Sequence, residues 1–168
     1  EYTCVDMTNL EEVRANIKPN TRILYSETAT NPTIRVADIK GLADIAHANG
    51  ALLIIDNTFL TSYAVRPIAL GADIVVNSLT KFGNGHSDAV CGSITSTAEM
   101  IRNCNSYLQL LGSVADAFTC YMTERGLRTL TLRMEKQMAN AEKLAAARKK
   151  AAEKVLAADA ELSARFNQ

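Results

Sequence analysis

The sequence carries no excess charge of either sign: 18 Lys and Arg stand against 18 Asp and Glu in 168 residues. Partners such as nucleic acid or an anionic membrane surface call for a basic face, so neither is expected. No apolar run approaches the roughly 20 residues of a membrane span, and ALLII (51–55) is far too short. No basic segment leads into an apolar one at the start, so no export signal is expected and the location predicted is cytoplasmic. The four cysteines (Cys4, Cys91, Cys104, Cys120) have no C-x-x-C spacing, and neither histidine stands at metal-ligand distance from them. Neither a metal site nor a disulfide framework is therefore expected. The thiols are predicted to be reduced, structural residues, cysteine being among the most buried types.

Proline and glycine are scarce in one place above all. Residues 119–168 contain no Pro and one Gly, Gly126, and are dense in Ala, Leu, Lys, Arg and Glu. These are strong helix formers, so that stretch is predicted helical. From Ala151 a thin stripe of Ala151, Val155, Ala158, Leu162 and Phe166 is expected on one helical face, with Glu161 and Arg165 as an i,i+4 pair. The charge shifts as well. Residues 1–120 hold 8 basic and 12 acidic side chains, and residues 121–168 hold 10 and 6. Two kinds of segment are therefore joined, and the division predicted is an α/β part over 1–115 and a helical connector and tail over 116–168.

Before that division the apolar residues alternate between two periodicities. The first 20 residues end in a loop at Pro19 and Asn20. Arg22 to Tyr25 reads as a short buried strand. Val36 to His47 has helical spacing, with Gly50 where a C-terminal glycine belongs. Ala51 to Ile55 reads as a strand covered on both faces, Asp73 to Asn77 as another, Ala89 to Ile94 as a weaker one, and Thr97 to Leu110 as a helix. Strands alternating with helices predict an α/β fold with a mostly parallel sheet. Reactive groups in such sheets gather at the carboxyl ends of the strands. Two polar clusters fall at such ends, Asp56-Asn57-Thr58 and Ser78 to His86.

The second cluster delivers Ser78, Thr80 and Lys81 into a turn loosened by Gly83 and Gly85. Two hydroxyls beside a lysine can make an anion pocket next to a nucleophilic amine, and such an amine forms a Schiff base with an aldehyde. Asp56 ends an apolar strand, where a carboxylate is costly unless something pairs with it. Pyridoxal phosphate needs such a carboxylate against its ring nitrogen.

Four stretches in order, YSETATNP (25–32), ALLIIDNTF (51–59), SLTKFGNGHSD (78–88) and RGLRTLTLRM (125–134), resemble the Cys/Met-metabolism (trans-sulfuration) family of pyridoxal-phosphate enzymes. Cystathionine γ-lyase, cystathionine γ-synthase and methionine γ-lyase belong to it. The resemblance implies part of the fold-type-I PLP-dependent transferase large domain, followed by a long helical segment, in a homotetramer built from dimers. It implies pyridoxal 5′-phosphate as cofactor, with Lys81 as the Schiff-base lysine and the base at the substrate Cα. Asp56 is implied as the partner of the ring nitrogen, Ser78 and Thr80 as phosphate ligands, and Asn31 as the residue near the 3′-oxygen. Thr58 is expected to support Asp56, while Glu27, His86 and His47 are expected in structural roles. The motif departs from the family's at Leu79, where a small residue is usual, and at Gly83, where an aliphatic one is usual. The likeness fades from about Ala146.

The family's chains are more than twice this length. The resemblance therefore implies a fragment without the glycine-rich phosphate loop, the tyrosine that stacks on the cofactor ring and the arginine that grips the substrate carboxylate. The activity implied is γ-elimination or γ-replacement on a small sulfur amino acid, with lyase and synthase both open. The alternative is a truncated, inactive relative that at most binds the cofactor or associates with a partner chain.

Overall fold

The computed structural model describes the backbone of residues 1–166 and the side chains of residues 1–157. It divides into two compact units, Glu1–Leu130 and Thr131–Gln168. The first is built on a four-stranded sheet: β1 (Ile23–Glu27), β2 (Leu52–Asp56), β3 (Ile74–Ser78) and β4 (Gly92–Thr95), in that spatial order. β1, β2 and β3 run parallel, and β4 returns antiparallel to β3. Helices α1 (Leu10–Asn16), α2 (Ile39–Ala48), α3 (Thr61–Ala64), α4 (Ala98–Leu111) and α5 (Ala117–Leu127) flank it, and α6 (Leu130–Phe166) follows.

Local chemistry sets the helix ends. Asp38 accepts from the Gly41 N–H at 3.0 Å and so caps α2. The helix thus begins three residues later than its apolar spacing suggests, and Val36 pairs with Ala29 in an isolated bridge instead. Gly50, just past the α2 C-cap, has φ +66°, a left-handed geometry glycine adopts without steric cost. Helix α1 lies in a stretch read as leading to a loop. Its signal was Asn9 followed by Glu12, a cap at N-cap and N3 in which Asn9 Oδ1 takes the Glu12 N–H. Asp116 caps α5 through the N–H groups of Phe118 and Thr119, at 2.9 and 3.0 Å. Those bonds hold its carboxyl below the usual carboxylate range, the Thr119 hydroxyl contributing most.

The core lies on one face of the sheet. Leu24, Leu53, Ile55 and Val75 point into it, and α2 supplies Leu42, Ala43, Ile45 and Ala46. The other face is open. Ile23 and Tyr25 of β1 are 52% and 53% exposed, and Leu52, Ile54 and Asp56 of β2 are only half-buried. The strand at 51–55 is therefore covered on one face, not two, and β1 is half-exposed rather than buried. The physical reason is layer placement: α2 covers one face, while α4 buries no residue of its own. Cysteines depart from expectation too: Cys4 and Cys120 are exposed, Cys91 and Cys104 partly so, and all four are free.

A π-type turn, Leu79–Gly83, leaves β3. Its middle residue, Lys81, breaks the helical course at φ −91°, ψ −122°. Helix α5 packs on this turn. A Cβ at Gly126 of α5 would collide with the Asn84 carbonyl oxygen, so only glycine lets the helix approach that closely. In the second unit α6 exposes Leu144, Ala151 and Val155. Ala158, Leu162, Phe166 and the Glu161–Arg165 pair lie outside the described side chains. No helix among the described residues is long and apolar enough to cross a membrane.

The two departures from the family motif occupy one space. A Cβ at Gly83 would meet Leu79 Cδ2 at 2.8 Å, so the large residue at 79 fills the room a side chain at 83 would take. Leu79→Ala and Gly83→Leu should each destabilise by about 1–3 kcal/mol, one by a void and the other by overpacking. The double variant should recover at least about 1 kcal/mol of the sum in a denaturant-unfolding cycle; additive costs would refute the shared space. Gly126→Ala should cost a similar amount, about 1–3 kcal/mol, and lower the unfolding midpoint.

Candidate active site

Three parallel strands end side by side, and each end carries a polar group. Register sets Glu27 beside Asp56, and Asp56 beside Val76 two residues before Ser78. All of these lie on the open face, because paired residues of neighbouring strands share a side.

Asp56 is held at both oxygens. The Thr58 N–H donates to Oδ1 at 2.9 Å, and the Tyr25 phenol donates to Oδ2 at 3.3 Å. Burial, then the Asp56 charge, pushes the Tyr25 phenol above its ordinary value. The Thr58 hydroxyl in turn accepts from the Ser78 N–H at 2.7 Å. One threonine thus orients the carboxylate and ties the end of β2 to the end of β3. Asn57, 1% exposed, anchors the loop from below: its Oδ1 accepts from the Thr28 hydroxyl at 2.8 Å, and its Nδ2 donates to the Val65 carbonyl at 2.9 Å.

Beyond β3, Thr80 is bound to Cys91. Its N–H donates to the Cys91 carbonyl at 3.1 Å, and its Oγ1 accepts from the Cys91 N–H at 3.0 Å and donates to the Cys91 carbonyl at 3.3 Å. Ser78 Oγ has no hydrogen-bond partner among the described residues. Lys81 is exposed, and its Nζ has neither a hydrogen-bond nor an ion-pair partner among them. The turn after Lys81 closes through Asn84 N–H to the Leu79 carbonyl and Gly85 N–H to the Lys81 carbonyl, both at 2.8 Å. His86 Nδ1 donates to the Asn84 carbonyl at 2.7 Å, a structural bond within the turn.

Asp56, Ser78 and Thr80 line one open depression of about 1080 Å³, with Cys91, Ile101 and Cys104 among its other walls. Lys81 and Asn31 do not line it. Asn31 stands instead over the end of β1, its N–H donating to Glu27 Oε2 at 3.3 Å. His47 lies away from these groups, paired through Nε2 with Asp73 at 2.9 Å. Sequence reasoning missed Tyr25 and Cys91, and placed Asn57 in the Asp56-Asn57-Thr58 cluster without a role of its own. Tyr25 was findable, since it sits two residues before Glu27 on the same face; Cys91 acts through its backbone and left no side-chain signal.

The residues present suit pyridoxal phosphate by their donor chemistry. At the strand ends lie a carboxylate held in place by two donors and, without a partner among the described residues, a hydroxyl and a primary amine. No group of three or more His, Cys, Asp or Glu among the described residues is placed to hold a metal.

Comparison with known proteins agrees with that chemistry. The chain is 44% identical over 145 residues to the cystathionine β-lyase of Lactococcus lactis subsp. cremoris (strain MG1363), covering 86% of this chain and 38% of the relative. It is 46% identical over 138 residues to human cystathionine γ-lyase, covering 81% of this chain and 34% of that one. In structure it resembles the cystathionine γ-lyase of Lactobacillus plantarum complexed with L-serine, with a TM-score of 0.81 and 38% identity over 84% of this chain and 38% of that one. The chain thus spans well under half the length of these relatives. The family of Cys/Met-metabolism PLP-dependent enzymes matches residues 1–157, and the chain belongs to it.

Proposed function

We propose that this chain supplies the lysine-bearing part of an active site that breaks or exchanges a carbon–sulfur bond in a small sulfur amino acid. The carrying observation is the juxtaposition at the strand ends of a doubly held carboxylate with a hydroxyl and, in the turn that follows, a lysine, both without a partner among the described residues. Relatives named cystathionine β-lyase, cystathionine γ-lyase and L-methionine γ-lyase support the substrate class. They also leave elimination and replacement, and the carbon attacked, equally open.

When bound, pyridoxal phosphate supplies an electron sink conjugated to the carbons of the amino acid. The chain's residues do the rest. Asp56, fixed by Thr58 and Tyr25, would hold the ring nitrogen of the cofactor with its carboxylate. Ser78 would offer its hydroxyl to the phosphate, and Asn31 would be the residue for the ring's 3′-oxygen. Lys81, exposed and one residue beyond Thr80, would hold the cofactor through its amine, and the same amine would serve as the base at the substrate Cα. Residues 1–115 form the cofactor-binding part in this reading, and 116–168 the helical connector and tail. A cytoplasmic homo-oligomer completes it, because a depression this open needs further walls to exclude water.

Two measurements test the reading. Titration with pyridoxal phosphate should give a visible absorption band, shifted from that of the free cofactor, that Lys81→Ala abolishes; a band that survives the substitution, or none in either protein, would sink it. The second concerns Tyr25, whose phenol should ionise above the ordinary 10.0. Burial is the larger cause, so Asp56→Asn should lower that value only part-way, read as phenolate absorbance against a Tyr25→Phe blank. A raised phenol pKa adds stability that is complete below pH 10 and is lost as pH rises through the folded-state value. The Asp56 anchor should therefore fail at strongly alkaline pH, not at neutral.

A further inference from the structure

We infer that Asn84 is a positioning residue for Lys81: its buried amide locks the turn behind the lysine to the loop at 86–88 and to helix α5. The role of Lys81 rests on the function proposed above; the lock itself does not. Asn84 is 1% exposed. Its N–H reaches back across the lysine to the Leu79 carbonyl at 2.8 Å, and its carbonyl accepts from His86 Nδ1 at 2.7 Å. Its side-chain Nδ2 donates to Asp88 Oδ1 at 2.6 Å. A carboxylate only accepts, so the NH2 group must face Asp88. The amide oxygen then falls against Gly126 of α5, where a Cβ would collide with it. That oxygen is buried without a hydrogen-bond partner among the described residues, as is the Thr123 hydroxyl one turn earlier on α5.

An unpaired oxygen in a buried place costs stability, and an apolar side chain of similar size would avoid that cost. The amide supplies direction instead. Asp88 fixes which way it points, and α5 limits how far it can move. The lock closes over Ser87, whose φ of +58° is a left-handed geometry uncommon outside glycine, so the Asn84–Asp88 bond offsets a backbone cost in the loop. Lys81 departs from the helical course at φ −91°, ψ −122°, and the regular ladder is interrupted there. On its far side the lysine is held by the Asn84 N–H on Leu79 and by the Gly85 N–H, which donates to the Lys81 carbonyl at 2.8 Å. Residues 84 and 85 therefore set where the lysine backbone stands, and the amide sets where they stand.

Asn84→Asp sets two carboxylates against each other. Adding Asp88→Asn restores the bond with its polarity reversed, the amide now at 88 and the carboxylate at 84. Asp88→Ala removes the acceptor from an exposed residue and decides the matter should the buried substitution impair folding. Without any cofactor, the Gly85 amide should exchange its hydrogen about tenfold faster in Asn84→Asp and in Asp88→Ala. It should return toward the parent rate in the double variant. Unchanged exchange in Asp88→Ala overturns the lock, and so does a folded double variant that fails to recover. With pyridoxal, which carries the aldehyde without the phosphate, the visible band that depends on Lys81 should form about tenfold more slowly in both weakened variants. In the double variant it should form at the parent rate, each protein being measured where it is folded. Rates that stay level while exchange changes would make Asn84 a structural residue of the loop and overturn its positioning role. No band from the parent chain with pyridoxal phosphate or pyridoxal would overturn the function proposed above, while the Gly85 amide would still decide the lock.

Discussion

The carboxyl edge of the sheet depends on a row of threonine hydroxyls, each placed just past the end of one strand and bonded to the next. Thr28, after β1, donates to Asn57 beyond β2. Thr58, after β2, accepts from Ser78 at the end of β3. Thr80, after β3, accepts from Cys91 at the approach to β4. Ladder hydrogen bonds stop where strands diverge, and at that point each chain would be free to splay. A side-chain hydroxyl extends the pairing by one more step at each boundary. Such bonds contribute only about 1 kcal/mol each, but they act where the reactive groups stand, and so they fix positions more than they add stability. Asp56, Ser78 and Lys81 all lie within a residue or two of one of these ties.

That edge also separates two demands on the same sheet. One face is packed by α2 into a dry core, with Leu53 and Ile55 fully buried. The opposite face carries Tyr25 and Asp56 and is open enough for a phenol and a carboxylate to bond each other beside solvent. A carboxylate at the end of an apolar strand would be expensive if buried alone. Half-burial and two donors, the Thr58 N–H and the Tyr25 phenol, offset that cost.

Much of this was legible in the chain. Four strands and two of the helices, α2 and α4, announce themselves by periodicity, and their starts differ by one to three residues where a cap such as Asp38 decides the boundary; residues 119–168 read as helical from composition alone and hold two helices, α5 and α6. The clusters at Asp56 and Ser78 to His86 were legible because polar residues that end apolar strands are rare without a purpose. What escaped has physical reasons. An apolar run does not say how many of its faces are covered, because ALLII reads alike whether a helix lies on one side or on both. Cysteine composition suggested burial, yet Cys4 and Cys120 are exposed, since a type average says nothing of where the available helices lie. The roles of Asn57 and Tyr25 were not legible because they lie in partners 29 and 31 residues away in sequence.

Leu79 and Gly83 show why a motif is better read as a volume than as a string. Each departs from the family's usual residue, one toward greater bulk and the other toward none, and each alone would suggest a disturbed turn. Leu79 Cδ2 stands 2.8 Å from where a Cβ at 83 would be, so the two changes exchange occupancy of one space. Close-packed interiors respond to total volume and shape more than to identity. The same turn is gripped on its far side by Gly126, whose missing side chain lets α5 meet the Asn84 carbonyl. The backbone around Lys81 is thus confined by steric limits at positions 79, 83 and 126 and by the hydroxyl of Thr80, while the lysine side chain has no partner among the described residues. A rigid seat and a free amine are jointly what a lysine needs if it is to form a bond, release it and return to the same place.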